Sequence, residues 1–147
     1  MIELGPTKRT FGVLIVDDEA YVRWMLQVAL RQEGHTVWLA GDSREAIDLY
    51  RDHRDTIDVV LMDVRMPGRD GPQTLAALQH FNPQIRCCFM SGSLGAYTEE
   101  RLFDLGAAAI IPKPFPLDNL SQVLRDAIVD DRAAATANRC REMLPLA

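Results

Sequence analysis

The sequence is poor in three things: cysteine, basic charge and long apolar runs. Only 3 of its 147 residues are cysteines, and the positions of Cys87, Cys88 and Cys140 suit neither a disulfide framework nor a zinc site. Lysine and arginine number 16 against 21 aspartates and glutamates, which gives a formal net charge of −5. Because phosphate binding needs a basic surface, this balance disfavours nucleic acid as a direct partner of the whole chain.

Segments that could address the chain to a membrane are also lacking. No apolar run is long enough to span a bilayer, and residues 1–10 have no apolar signal core. We therefore interpret the protein as cytoplasmic, with 1–10 as a flexible leader. What the sequence does contain is an ordinary globular composition, 48% hydrophobic and 25% charged, in a length that suits about one domain.

Short apolar runs that end on acidic side chains are the most informative pattern in the chain. Residues 13–16 are branched and apolar and lead directly into Asp17 and Asp18, and residues 59–62 lead in the same way into Asp63. Runs of this kind are typical of buried parallel strands. In open α/β sheets, ligands bind just beyond the carboxyl ends of the strands, so these runs predict a site as well as a fold.

Five such strand-like runs alternate with five segments of helical character. The predicted strands cover 11–17, 36–40, 59–63, 87–91 and 107–111. The predicted helices cover 20–33, 44–54, 73–81, a segment that ends near 105 and one that begins near 117. This alternation predicts an α/β fold, a doubly wound parallel sheet with helices on both faces. Pro112 has no N–H to donate to a sheet ladder, which places the fifth strand at an edge.

The first predicted helix carries two apolar stripes. The stripe expected to face the core consists of Val22, Met25, Leu26, Ala29 and Leu30. A second stripe consists of Tyr21, Trp24 and Val28. The commoner arrangement is packing of such a stripe against a neighbouring helix; the alternative is a docking surface for a partner, because Trp and Tyr are typical anchors.

The predicted sheet delivers five polar side chains to one edge: Asp17, Asp18, Asp63, Ser91 and Lys113. Close carboxylates repel by roughly 4 kcal/mol per pair at an effective dielectric of about 20. A solvated acidic rim held by the lysine alone is one interpretation, but it does not account for the hydroxyl. A Mg²⁺ pocket around a transferred phosphoryl group accounts for the carboxylates, the hydroxyl and the cation together.

Four motifs lie at predicted strand ends, in order along the chain. They are Val16-Asp17-Asp18-Glu19, Met62-Asp63-Val64-Arg65-Met66-Pro67-Gly68-Arg69-Asp70-Gly71, Met90-Ser91-Gly92 and Lys113-Pro114-Phe115. Over residues 11–130 the sequence therefore resembles the response regulator receiver domain of two-component signalling. The resemblance implies a flavodoxin-like fold with strand order 2-1-3-4-5. Separately from the resemblance, residues 131–147 are rich in alanine, and we expect them to form a C-terminal tail that extends the last helix.

The resemblance also implies a role for each acidic residue. Asp63 matches the aspartate that accepts a phosphoryl group from a histidine kinase or a phosphotransfer protein. Asp17 and Asp18 match the pair that holds Mg²⁺, with Asp18 as a direct ligand, and Asp63 itself and the backbone carbonyl of Arg65 complete the metal site. Adjacent carboxylates of this kind are the oxygen ligands that Mg²⁺ prefers.

The remaining matches concern the switch that follows phosphorylation. Ser91 matches the hydroxyl that bonds the new phosphoryl oxygen, and Lys113 matches the lysine that pairs with Asp63 and then with the phosphoryl group. The peptide bond between Lys113 and Pro114 is expected to be cis. Movement of Ser91 is expected to reshape the face formed by the fourth helix, the fifth strand and the fifth helix.

One position departs from the family pattern. Three residues before Lys113 the family usually has Tyr or Phe, and this chain has Ile110. This departure supports an alternative function, a phosphorylation-independent binding module that keeps the acidic pocket. A change in the fluorescence of Trp24 or Trp38 on adding beryllofluoride with Mg²⁺ would argue against that alternative.

An enzyme is the least favoured class. A phosphatase with an Asp-x-Asp motif needs an acid where Arg65 stands, and a dinucleotide enzyme needs glycines where Asp17, Asp18 and Glu19 stand. We expect a domain that assists only its own phosphorylation and dephosphorylation. The expected partners are a histidine kinase or phosphotransfer protein, docking near the first helix, and a downstream effector protein. A homodimer is a further option, and neither nucleic acid nor a membrane is expected as a direct partner.

Overall fold

The structure is a computed structural model that describes residues 9–129. The C-terminal tail predicted for 131–147 lies outside the described residues, as does all of the predicted leader except Arg9 and Thr10.

Five parallel strands form a single sheet in the order β2-β1-β3-β4-β5, which confirms the predicted order. The strands are β1 (Gly12–Val16), β2 (Thr36–Ala40), β3 (Val59–Asp63), β4 (Cys87–Ser91) and β5 (Ala107–Pro112). Every residue of β1, β3 and β4 is buried, because helices cover both faces of these inner strands. Pro112 closes β5 at the edge of the sheet, as its missing N–H predicts.

The helices differ from their predicted bounds by one to three residues. They are α1 (Ala20–Gln32), α2 (Ser43–His53), α3 (Gly71–Gln79), α4 (Glu99–Asp104) and α5 (Leu120–Val129). Helices α1 to α4 end one or two residues earlier than predicted, and α2, α3 and α5 also differ at their starts. The start of α3 was predicted two residues too late, because Gly71 and Pro72 suggested a loop. Asp70 and Gln73 instead form a capping box there, with Pro72 in the first turn. Residues 117–119, predicted as helix, form a 3₁₀ turn before α5.

Two separate hydrophobic cores lie on the two faces of the sheet, and together they confirm the doubly wound arrangement. On one face, α2, α3 and α4 pack over alternate strand residues such as Leu14 and Phe89. On the other, α1 and α5 pack over the intervening residues, such as Ile15. Cys87 and Cys88 belong to opposite cores and are both buried, so they act as small hydrophobic residues.

The second apolar stripe of α1 does not pack against a neighbouring helix. Tyr21 is 69% exposed, Trp24 59% and Val28 38%, so the commoner arrangement is wrong for this stripe within the described residues. The expected inner stripe is fully buried only at Leu26 and Leu30. Among the helices in residues 9–129, none combines the length and the apolar character needed to cross a membrane.

At the amino end of the sheet, a buried histidine links three segments. The N–H of Phe11 donates to His35 Nδ1 (3.1 Å), so the ring proton lies on Nε2, which faces Ser121 Oγ at 3.1 Å. Ser121 in turn donates to Glu33 (2.9 Å). Burial lowers the pKa of His35, with help from the charge of Arg125 and against the charge of Glu33. The network thus holds a neutral imidazole between β1, β2 and α5.

Candidate functional site at the carboxyl edge of the sheet

Three carboxylates meet where β1 and β3 end side by side. Asp17 follows β1 directly, and Asp63 is the last residue of β3. One carboxylate oxygen from each of Asp17, Asp18 and Asp63 lies within 4.8 Å of the others. Because β1 and β3 are hydrogen-bonded neighbours, the sheet itself brings together residues 46 positions apart. The predicted acidic cluster is therefore present in the structure.

The two adjacent acids have very different surroundings. Asp17 is completely buried, and both of its carboxylate oxygens accept hydrogen bonds, Oδ1 from the N–H of Glu19 (2.8 Å) and Oδ2 from Lys113 Nζ (2.8 Å). Asp18 is exposed, and within residues 9–129 its side chain has neither a hydrogen-bond nor an ion-pair partner. A carboxylate with no partner, next to two that have one, is free to take a cation from solvent.

Asp63 combines burial with a charged hydrogen bond. Its Oδ1 accepts from the N–H of Arg65 (3.2 Å), and its Oδ2 accepts from Lys113 Nζ (3.0 Å). Burial, with a smaller contribution from the charge of Asp17, raises the pKa of Asp63, although Lys113 and the N–H of Arg65 act in the opposite direction. Asp63 is thus a poorly solvated carboxylate held beside a charged lysine.

Lys113 is the one cation that bridges the cluster in the described part of the chain. Its backbone N–H donates to the carbonyl of Ser91 (2.9 Å), and the peptide bond to Pro114 is cis, as predicted. Burial lowers the pKa of this ammonium group, but its hydrogen bonds to Asp17 and Asp63 and their charges outweigh burial and raise it. The lysine is therefore charged, and one positive group faces three carboxylates.

This donor set fits a hard divalent cation. Carboxylate oxygens are the ligands that Mg²⁺ takes in proteins, usually one or two together with water and substrate oxygens. The three oxygens are close enough to contact one ion, and a single lysine does not balance their charge. The backbone carbonyl of Arg65 stays a predicted ligand, whereas the Arg65 side chain lies beside Gly95, 3.4 Å from the position that a Cβ would occupy there.

The hydroxyl of Ser91 is at the same edge but is hydrogen-bonded to the backbone of its own loop. Ser91 Oγ donates to the backbone carbonyl of Ser93 and accepts from the N–H of Ser93 (2.9 Å). Ser91 has no hydrogen bond to Asp63 or Lys113 through its side chain in this structure. The role of Ser91 toward a phosphoryl oxygen stays a prediction. Ile110, which stands where the family usually has an aromatic residue, is half-buried and packs against the core under α2, α3 and α4.

Two contacts near the site escaped the sequence reasoning. Arg23 Nη1 donates to the backbone carbonyl of Asp17 (2.7 Å), and the hydroxyl of Tyr97 donates to Asp70 Oδ2 (2.9 Å), which ties the loop after β4 to the cap of α3. The position of Arg23, one turn into the helix that follows the acidic pair, was a signal that could have been read. Tyr97 and Asp70 are 27 residues apart, and no local pattern links them.

Comparison with known proteins agrees with this geometry. A family model described as the response regulator receiver domain matches residues 13–125. The transcriptional regulatory protein ZraR of Escherichia coli (strain K12) is 34% identical over 122 residues, which cover 83% of this chain and 27% of ZraR. This chain thus spans about a quarter of that relative. Sporulation initiation phosphotransferase F of Bacillus subtilis (strain 168) is 32% identical over 118 residues, 79% of this chain and 89% of the relative.

A solved structure supports the same conclusion. The CheX–CheY–BeF3–Mg complex from Borrelia burgdorferi contains a chain that is 29% identical, with a TM-score of 0.75 over 82% of this chain and 90% of that one. The family model covers more than two thirds of the sequence, and the sheet order and the acidic cluster agree with it. The chain belongs to the response regulator receiver domain family.

Proposed function

We propose that this protein is a signalling receiver that accepts a phosphoryl group on Asp63 from a histidine kinase or a phosphotransfer protein. Mg²⁺ would be held by Asp17, Asp18, Asp63 and the backbone carbonyl of Arg65. The observation that carries the proposal is the meeting of three carboxylate oxygens within 4.8 Å beside one half-buried lysine. The alternative, a phosphorylation-independent binding module, is less favoured. All the residues expected for phosphoryl acceptance are present, and only the aromatic residue usual at position 110 is missing.

The proposed reaction is a direct transfer between two side chains. A carboxylate oxygen of Asp63 attacks the phosphorus of a phosphohistidine; the new P–O bond forms as the P–N bond breaks, and the imidazole keeps the electron pair and takes up a proton. Lys113, already on Asp17 and Asp63, stays beside the charge that arrives. A bound Mg²⁺ supplies further neutralisation of the transferring group.

The proposed switch begins at the hydroxyl of Ser91. A phosphoryl group brings about −1.5 to −2 charges to the pocket, and its oxygens compete with the Ser93 carbonyl for this hydroxyl. Release of Ser93 would move the loop between β4 and α4 and so change the face formed by α4, β5 and α5. An almost complete shift from the inactive to the active conformation needs about 5.5 kcal/mol of differential stabilisation. A few charge-assisted hydrogen bonds to the phosphoryl group, at about 1.5–3 kcal/mol each, would supply it.

The proposed partners follow from the two exposed faces. We place a histidine kinase or phosphotransfer protein near α1, where exposed Tyr21, Trp24 and Val28 offer apolar contacts. A downstream effector, or a second copy of the chain, would read the face formed by α4, β5 and α5. We further propose a cytoplasmic domain over residues 11–130 that turns over no substrate beyond its phosphodonor.

Labelling by acetyl phosphate tests the acceptor. The wild-type protein is expected to incorporate phosphate in the presence of Mg²⁺, and Asp63→Asn is expected to abolish it, because an amide is not a nucleophile at phosphorus. Asp52→Asn is the control, since Asp52 is exposed on α2 and should label normally. Full labelling of Asp63→Asn, or labelling that survives removal of Mg²⁺ by a chelator, would refute the proposal.

A further inference from the structure

Arg23 folds back from the first turns of α1 onto the end of β1. Its backbone N–H donates to the carbonyl of Glu19 (3.1 Å), as expected in a helix, but its Nη1 donates to the backbone carbonyl of Asp17 (2.7 Å). This is a short hydrogen bond from a charged donor, of the stronger class in proteins. Arg23 therefore holds the backbone of the acidic pair and, within residues 9–129, makes no hydrogen bond or ion pair with either carboxylate.

The carbonyl that Arg23 holds lies between the two acids. It belongs to the peptide group that joins Asp17 to Asp18, so its direction also sets the direction of the Asp18 N–H. The Asp17 carboxylate has its own restraints, the N–H of Glu19 and Lys113. The Asp18 side chain has none within residues 9–129, and only its backbone aims it at the pocket.

The connection between β2 and α2 leaves room for this arginine. A Cβ added at Gly41 would lie 3.1 Å from Arg23 Nη1 and 3.2 Å from Glu45 Oε1. The same Glu45 oxygen accepts the N–H of Gly41 (2.7 Å). The absence of a side chain at position 41 thus gives the guanidinium group its place, with a carboxylate close by.

We propose that Arg23 is a positioning residue for divalent cation binding: it fixes the peptide plane between Asp17 and Asp18 and so directs the Asp18 carboxylate toward Asp17 and Asp63. The inference rests on the proposed function, in which these residues hold Mg²⁺. Removal of a group that orients metal ligands without binding the metal itself typically lowers metal affinity by roughly 10–100-fold. Because Asp18 is exposed, we expect an effect at the low end of that range.

The test compares two arginines of the same helix. Arg31 also donates to a backbone carbonyl, that of Val37 (3.4 Å), but at the other end of α1. Arg23→Met and Arg31→Met each remove one such bond and one positive charge. Loss of a nearby positive charge by itself favours Mg²⁺ binding, so weaker binding in Arg23→Met can come only from lost positioning.

The measurements are the Mg²⁺ dissociation constant, from amide NMR shifts without phosphodonor, and the melting temperature without Mg²⁺. We expect Arg23→Met to raise the dissociation constant by about 10-fold and Arg31→Met to leave it within about 2-fold of wild type. Arg23→Lys, which keeps the charge and a donor, is expected to fall between Arg23→Met and wild type. It also serves if Arg23→Met does not fold.

Each outcome decides the question. A lower melting temperature of Arg23→Met with wild-type Mg²⁺ affinity would mean a merely structural role and overturn the inference, as would equal weakening by Arg31→Met or Mg²⁺ binding by Arg23→Lys no weaker than that of wild type. If the wild-type protein itself shows no Mg²⁺-dependent shifts near Asp17, Asp18 and Asp63, the proposed function fails and the inference fails with it. That result is distinct from wild-type binding that Arg23→Met leaves unchanged.

Discussion

At the amino end of the sheet the buried side chains of His35 and Ser121 are both hydrogen-bonded, whereas at the carboxyl end three carboxylates lie beside one lysine. The hydrogen bonds at the amino end run from the N–H of Phe11 through His35 and Ser121 to the exposed Glu33. The carboxyl end leaves Asp18 with no partner within the described residues. The first arrangement contributes to stability, and the second lowers it in exchange for a site that attracts a cation.

The difference reflects what each end contacts. Satisfied buried polar groups gain little from a ligand, because their hydrogen bonds are already made. Unbalanced charges at the other end of the same strands have interaction energy left for an ion or a phosphoryl group. Substitutions at the two ends should therefore act on stability in different ways, and three predictions test this.

The largest expected effect is at the lysine that bridges the carboxylates. Lys113→Met should lower the free energy of unfolding in Mg²⁺-free buffer by about 2–3 kcal/mol, because it leaves Asp17 and Asp63 buried without a counter-charge. Added Mg²⁺ should restore part of this loss. Urea denaturation with and without Mg²⁺ measures both effects.

An exposed pair of the same type provides the control for Lys113→Met. Arg51 also contacts two aspartates, Asp48 (3.3 Å) and Asp52 (3.1 Å), but on the surface of α2. Arg51→Met should change the free energy of unfolding far less than Lys113→Met does, because exposed ion pairs contribute little to stability. Equal losses of unfolding free energy in Lys113→Met and Arg51→Met would show that the carboxylates of the pocket depend on their cation no more than those on the surface do.

Smaller changes in the free energy of unfolding are expected when one polar group is removed at each end of the sheet, and the two changes should have opposite signs. Ser121→Ala should lower the free energy of unfolding by about 1–2 kcal/mol, because it strands the buried Nε2–H of His35. Asp18→Asn should raise it by about 0.5 kcal/mol without Mg²⁺, since it removes a like charge from the cluster. Chemical denaturation of both variants measures the two changes in unfolding free energy. Changes of the same sign would contradict the proposed difference between the two ends of the sheet.

The smallest expected effect is a pH dependence at the amino end. Burial and Arg125 lower the pKa of His35 below 6.5, and only Glu33 opposes them. Below about pH 6.5 His35 thus binds a proton in the unfolded chain but not in the folded one. The contribution of the neutral imidazole to stability is therefore fully present above that pH and is lost as the pH falls below it. Denaturation at about pH 7.5 and about pH 5.5 should show this fall in the wild type.

Substitution of the histidine should remove that part of the pH dependence. His35→Gln is expected to show a shallower loss of stability on acidification than the wild type, whatever its stability at neutral pH. His80→Gln is the control, because His80 is exposed at the end of α3 and should keep the wild-type slope. An unchanged slope in His35→Gln would mean that the buried imidazole does not resist protonation.

Strands were easier to predict from this sequence than the starts of helices. β3 and β4 run over the predicted residues, since a continuous apolar run ends there on Asp63 or Ser91. The start of α3 was missed because Gly71 and Pro72 are typical of loops, and only the capping box around Asp70 shows that they open a helix. Capping depends on side-chain geometry, which composition does not convey.

The residues of the site could be chosen from the sequence, but not their contacts. Position at a strand end was enough to select Asp17, Asp63 and Lys113, because parallel strands present their carboxyl ends at one edge. The exposure of Tyr21 and Trp24 could not be decided, since an apolar stripe looks the same whether a helix covers it or solvent does. The hold of Arg23 on the backbone was overlooked.

The sequence by itself determined the order of the elements and the identity of the acidic cluster, because apolar periodicity and the polar residues that end each strand are local properties. Only the tertiary structure decided that Lys113 bridges Asp17 and Asp63, that Ser91 turns toward Ser93, and that Arg23 holds the peptide between the two acids. These choices depend on distances between neighbouring strands and on rotamers set by packing, and residue spacing along a chain does not encode either.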